Sequence, residues 1–174
     1  MRLGKVSLLL LLLTLQSCFI QPAGNKGINY SQLVFTARVI RILDGDTMEV
    51  LYQDQPIKIR LAHIDCPEKR GHQPFGTKAK QALSDLCFGQ MVTVQGQKYD
   101  RYKRLIAVVI NDKKQVLNQE MVKLGMAWHF KKYSSDSLYA QLENTARENK
   151  VGLWKDSTAV APWEWRGTKH ALAK

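Results

Sequence analysis

At 174 residues the chain has room for one domain around a single core, and it contains no internal repeat that would mark a solenoid or array. Lys and Arg outnumber Asp and Glu by 26 to 15, a formal charge of +11, which favours polyanionic partners such as nucleic acid, anionic lipid or acidic polysaccharide. The four histidines and three cysteines show no zinc-ligand spacing, which excludes a zinc-centred reading.

Residues 1–18 read as a targeting segment. Arg2 and Lys5 form a positive start, Val6–Leu15 is apolar apart from Ser7 and Thr14, and small and polar residues follow. Such a run is short for a membrane span and has the form of a signal peptide. Removing residues 1–17 would take the charge from +11 to +9. The sequence therefore predicts an exported protein, periplasmic or secreted, with no stable membrane insertion once the signal is gone. Leu15-Gln16-Ser17-Cys18 resembles a bacterial lipoprotein cleavage site, so lipid anchoring through Cys18 stands beside ordinary cleavage. Gln16 is bulkier than that motif usually carries, which favours the latter. Residues 19–32, with Pro22, Gly24, Asn25, Gly27 and Asn29, read as a flexible leader.

Val34–Leu43 is rich in β-branched and apolar residues, runs into Asp44-Gly45, and returns through Thr47–Tyr52, a hairpin signature. Gln53–Pro56 turns the chain into a third strand, Ile57–Leu61, whose alternation puts Ile57, Ile59 and Leu61 inward and Lys58 and Arg60 outward. Pro67 stops it. Phe75, Ala79, Ala82, Leu83, Leu86 and Cys87 then make one apolar helical stripe, ended by Gly89. Two strands follow, Met91–Val94 and Leu105–Ile110, then helices over about Val116–Leu124 and Leu138–Asn149. The last is capped by Asp136 or Ser137 and turns Leu138, Leu142 and Ala146 inward. The predicted fold class is α+β, mainly β: a five-stranded OB-fold-like barrel with three flanking helices over residues 33–155. A tail over 156–174 is expected to be extended, packing Trp163 and Trp165 on the domain.

Three polar pieces carry the chemistry: the turn Asp44-Gly45-Asp46-Thr47, the strand and turn Arg60–Glu68, and the basic run Asp100-Arg101-Tyr102-Lys103-Arg104. Carboxylates and backbone carbonyls are hard oxygen donors suited to Ca²⁺ or Mg²⁺. Beside guanidiniums, whose planar fork matches two phosphate oxygens, they suit metal-assisted chemistry on a phosphate. Any one of these residues alone would read as a turn former, a solvated acid or a surface ion-pair arginine. Asp44 keeps that reading, as turn former and support. Export permits a Cys66–Cys87 disulfide closing a loop of about twenty residues, worth roughly 3 kcal/mol; two unpaired thiols are the equal alternative.

In that order, the pieces resemble the staphylococcal (micrococcal) nuclease family, the thermonucleases, over roughly Val34–Trp154. The resemblance implies the OB-fold barrel. It also implies a Ca²⁺ held by Asp46, Asp65 and the backbone carbonyl of Cys66, where the family's best-known member has threonine. Glu68 would be the general base, Arg60 and Arg104 the clamps on the phosphoryl group, and Arg101 and Tyr102 contacts to a substrate phosphate. Lys103 stands where the family usually has glycine, which puts the loop carrying Arg104 in question. The implied activity is that of a monomeric, calcium-dependent endonuclease acting on DNA and RNA with little sequence preference, favouring single strands and leaving 3′-phosphate ends. The alternative is a non-catalytic OB-fold binder of single strands, to which Trp128, Phe130 and Tyr133 among lysines would lend stacking surfaces. Relatives of that kind keep the barrel and lose the carboxylates, whereas Asp46, Asp65 and Glu68 are all present here.

Overall fold

A computed structural model describes residues 33–172, with side chains through residue 167; the signal and leader expectations fall on residues 1–32, outside the described residues. Strand β1, Val34–Asp44, starts in strict alternation, with Phe35, Ala37 and Val39 inward. Its register with β2, Thr47–Tyr52, slips after Val39 and again after Ile42. These bulges move the next buried position to Ile42. Strand β3, Gln55–Leu61, pairs antiparallel with β2 and carries Ile57, Ile59 and Leu61 into the core.

Strand β5, Met91–Tyr99, runs antiparallel to both β1 and β6, Leu105–Ile110, while β6 lies parallel to β3. The result is a closed barrel in the order β1-β2-β3-β6-β5, which leaves none of these five strands with an open edge. A two-residue pair outside the barrel, β4 (Ile64–Asp65) with β7 (Trp128–His129), was not foreseen from sequence. Segments this short carry no periodicity to detect.

Helix α1, Gly76–Cys87, buries Ala79, Leu83 and Cys87 against the barrel, and Gly89 follows it at φ +77°. Cys66 and Cys87 are both buried free thiols, with Cys87 Sγ donating to Leu83 O at 3.1 Å. Helix α2 is Leu117–Lys123 and α3 is Ser137–Glu148, capped by Asp136, whose side chain accepts from Leu138 N. The inward face of α3 differs from expectation. Ala146 is buried and Leu142 packs on the core as expected, but Leu138 is exposed, while Tyr139, stacked on His63 at 4.7 Å, and Glu143, paired with Arg147 at 2.6 Å, are buried.

The tail is also corrected. After a 3₁₀ turn, Gly152–Lys155, the chain forms a fourth helix, α4, Pro162–Leu172. Pro162 occupies the first helical position, where a missing N–H costs nothing, and Glu164 follows in the first turn. Trp163 packs its ring flat on Phe130 at 5.4 Å, and Trp128 meets Trp154 edge-on at 4.9 Å. Of the three aromatics considered as stacking surfaces, only Tyr133 is exposed; Trp128 is core.

Asn118 ties α2 to the barrel. Fully buried, it accepts from Val109 N (3.0 Å) and donates to Ala62 O (3.0 Å) and Ala107 O (3.1 Å). Truncation would take the side-chain partner from the Val109 amide and the Ala62 carbonyl in a dry core, while Ala107 O keeps Ala62 N at 2.8 Å. Asn118→Ala is expected to destabilise the protein by about 2–4 kcal/mol, seen as a lower urea midpoint at unchanged m-value. A loss below about 1 kcal/mol would contradict this assignment.

Candidate active site

The tight β1–β2 turn brings Asp44 and Asp46 to the mouth of the barrel. Gly45 between them is required by close approach: a Cβ there would lie 2.7 Å from Ala79 Cβ and 2.9 Å from Cys66 Cβ. Helix α1, the acidic turn and the loop after β4 therefore touch at one point. Asp46 is fixed there, Oδ1 accepting from Thr47 Oγ1 and Oδ2 from Cys66 N, both at 2.9 Å.

Arg60, near the end of β3, folds its side chain back over this turn. Nη1 donates to Leu61 O (2.8 Å) and Ile64 O (2.9 Å), and Nη2 meets Asp65 Oδ1 (2.8 Å) and Asp46 Oδ2 (3.1 Å). Three terminal N–H groups thus donate to protein acceptors, Asp46 adds an ion pair, and the side chain is only 12% exposed. In this state the fork is a counter-ion for the acidic pair, not an open clamp.

Glu68 leaves the turn beside Asp65, and its backbone is held on both sides. Its N–H donates to Gln73 Oε1 (2.9 Å), its carbonyl accepts from Gln73 N (3.1 Å), and Gly76 packs against it where a Cβ would come within 2.6 Å of Glu68 C and O. Around this loop His63, His72 and Phe75 all sit at positive φ, a local concentration of backbone strain of the kind found at functional sites. The Glu68 side chain bonds, through Oε1, to Arg166 Nη1, and Arg166 Nη2 reaches Asp65 Oδ2 at 2.7 Å.

The basic loop is a separate cluster. Arg104 directly precedes Leu105, the partner of Ile59, but its Nε and Nη2 both engage Asp100 Oδ2 at 2.7 Å. Asp100 also accepts from Tyr102 N and Arg104 N and so shapes the turn. Lys103 adopts φ +59°, so the left-handed turn is kept without glycine. Tyr102, 63% exposed, has the guanidiniums of Arg101 and Arg104 over its ring at 4.8 and 5.4 Å. The structure thus brings Asp46, Asp65, Cys66 and Arg60 into contact, with Glu68 joined to Asp65 through Arg166, while Arg104 is paired to Asp100 beside Arg101 and Tyr102 in the basic loop.

Sequence reasoning missed Gln73, Gly76 and Arg166, and gave Asp100 no role within the basic run. An Asp opening a turn is a readable signal for Asp100, and Pro162 with Glu164 is one for the helix bearing Arg166. The contact of Arg166 with Glu68, 98 residues away, has no local signature.

Burial, then the neighbouring carboxylate of Asp46, push Asp65 up to about 6 against the pull of Arg60 and Arg166. Asp44 rises to about 6 for the same first two reasons. This is an anionic cluster short of positive charge, made of hard oxygens. The donor set of Asp46, Asp65 and the Cys66 carbonyl therefore fits a cation such as Ca²⁺ or Mg²⁺. It contains two carboxylates only; among the described residues no three His, Cys, Asp or Glu side chains are grouped to hold a metal.

The raised Asp44 carboxyl has a stability consequence in chelator. A carboxyl near 6 when folded and near 3.8 when unfolded makes the native state bind the extra proton. Its contribution is present below about 3.8 and is lost as pH rises through about 6. Asn keeps the oxygen that accepts from Gly45 N (2.9 Å) and cannot ionise. Asp44→Asn should therefore gain stability relative to the parent protein as pH is raised from 4 to 7 in thermal melts. Parallel curves for the two proteins would contradict the raised carboxyl.

Comparison with known proteins agrees with the geometry. The family model described as Staphylococcal nuclease homologue matches residues 58–156. The chain is similar to a protein of Haemophilus influenzae named uncharacterized endonuclease, 46% identical over 75% of this chain and 72% of that one. It is 41% identical to an uncharacterized endonuclease of Escherichia coli over 76% of this chain and 85% of that one. It is 42% identical to a micrococcal nuclease of Shigella flexneri over 76% and 80% of the two chains. The barrel, the acidic turn on its mouth and these similarities together establish that the chain belongs to the staphylococcal nuclease family.

Proposed function

We propose that this protein is an exported, monomeric, calcium-dependent nuclease that hydrolyses DNA and RNA phosphodiesters with little sequence preference and leaves 3′-phosphate ends. The observation that carries the reading is the convergence of Asp46, Asp65 and Arg60 within 3.1 Å at the barrel mouth, with Glu68 three residues from Asp65 on a braced loop. Family membership and the relatives' names support nuclease activity. Export rests on the signal-like residues 1–18.

Asp46, Asp65 and the Cys66 carbonyl would hold the cation. When bound, it supplies the positive charge that the acidic pair otherwise draws from guanidiniums, together with a Lewis-acid contact for a phosphoryl oxygen. The remaining chemistry belongs to this chain. Glu68, as carboxylate, takes a proton from the attacking water as its oxygen bonds to phosphorus in line with the 5′ oxygen. The bond to that 5′ oxygen breaks, leaving a 5′-hydroxyl, which takes its proton from solvent, and a 3′-phosphate. Arg60 Nη2, which meets Asp65 and Asp46 here, would turn to the phosphoryl oxygens where charge builds once those carboxylates hold the cation. Arg104, Arg101 and Tyr102, on the outer loop, hold the flanking phosphate backbone. Backbone contacts carry no sequence information, which accounts for broad specificity.

Single-stranded DNA should be cut in Ca²⁺ and not in excess chelator, and Glu68→Gln should lower the rate about 10²–10⁴-fold. The same variant should still bind the strand, with affinity falling steeply as salt rises. Tight, salt-sensitive binding without cleavage in any divalent cation would overturn the enzyme reading and leave the single-strand binder.

A further inference from the structure

Helix α4 lies outside the span matched by the family model, yet it reaches the centre of the site. The guanidinium of Arg166 bridges the two carboxylates with the most specific proposed duties, Nη2 on Asp65 Oδ2 (2.7 Å) and Nη1 on Glu68 Oε1. The approach is built from the core outward. Ala161 is buried with Trp128, Leu153 and Trp154, and Trp163 lies parallel to the Phe130 ring. Val160 O accepts from Gln73 Nε2 at 2.8 Å, while the other end of that amide holds Glu68 N. One glutamine thus links the backbone of Glu68 to the residue two before α4.

The two arginines of the site differ in how freely they can leave. Arg60 is 12% exposed and tied to two main-chain carbonyls. Arg166 is 40% exposed, and its bonds are to the two carboxylates. Beyond it Gly167 faces open space, with nothing within 4 Å of where a Cβ would stand, and glycine inside a helix weakens it. Asp65 Oδ1 is already taken by Arg60, so Oδ2 is the oxygen that Arg166 and an incoming cation must contest.

We propose that Arg166 is an intramolecular competitor for the cation site: α4 latches Asp65 and Glu68 shut until a divalent cation displaces its guanidinium. This rests on the reading of Asp46 and Asp65 as cation ligands. The latch neutralises the carboxylates when no cation is present and keeps Glu68 from engaging water. Linkage makes the effect reciprocal, so the cation must also loosen α4. The apparent affinity for the cation is lowered by the fraction of molecules that are latched.

The test is calorimetric titration of Ca²⁺, without nucleic acid, into the full mature protein and into Arg166→Gln and Asp65→Asn. Arg166→Gln is expected to bind Ca²⁺ about tenfold more tightly than the parent, and Asp65→Asn to lose binding. Equal or weaker binding by Arg166→Gln, with binding still dependent on Asp65, would overturn the latch and leave the cation site standing. No binding by the parent, or undiminished binding by Asp65→Asn, would instead overturn the cation site and the latch with it. Should Arg166→Gln fold poorly, amide hydrogen exchange of the parent decides. Saturating Ca²⁺ should accelerate exchange over residues 163–172, and unchanged exchange there would overturn the latch.

Discussion

Everything at the barrel mouth depends on the guanidinium of Arg60. A charge this deeply placed is tolerable only if it is paired, and here Leu61 O, Ile64 O and Asp65 accept hydrogen bonds from it while Asp46 lies at ion-pair distance. These contacts tie the end of β3 to β4 and to the β1–β2 turn, so one side chain both orders the loop and balances the acids. Arginine suits the role because its fork is planar and permanently charged; a lysine ammonium would have to choose among these acceptors.

The site nevertheless remains short of positive charge, since the carboxyls of Asp44 and Asp65 are both pushed up to about 6 by burial and by Asp46. Close packing creates this condition. Gly45 lets Ala79 and Cys66 press on the acidic turn, and Gly76 lets α1 press on Glu68. Space that would otherwise admit water around the carboxylates is filled by helix, so the acids look for a cation. Part of that charge comes from Arg166 of α4, an element beyond the span of the family match.

The barrel was legible in the sequence because its strands carry a period of two and its turns carry Asp-Gly and Pro. Ile57, Ile59 and Leu61 are inward as their alternation requires. The acidic and basic pieces were legible by type and order. What sequence could not supply was their mutual aim. Arg60 alternates to the outside of its strand, yet it bends back into a dry contact; Arg104 turns to Asp100 instead of the acids. In α3 the apolar period suggested Leu138 inward, but Tyr139, stacked on His63, and Glu143, paired to the exposed Arg147, are the residues buried there. The extended reading of the tail overlooked Pro162 at a helix start. Pairwise side-chain choices across 98 residues, such as Arg166 with Glu68, exist only in the folded molecule.

The most direct measurement of the central claim is cleavage of a 5′-labelled single-stranded oligonucleotide in Ca²⁺ and ¹⁸O-water, with mass analysis of the ends. Attack of water on phosphorus with cleavage of the bond to the 5′ oxygen should place one ¹⁸O in each new 3′-phosphate and none in the 5′-hydroxyl. An oligonucleotide that stays bound and intact, or ends with ¹⁸O on the 5′ side, would contradict it.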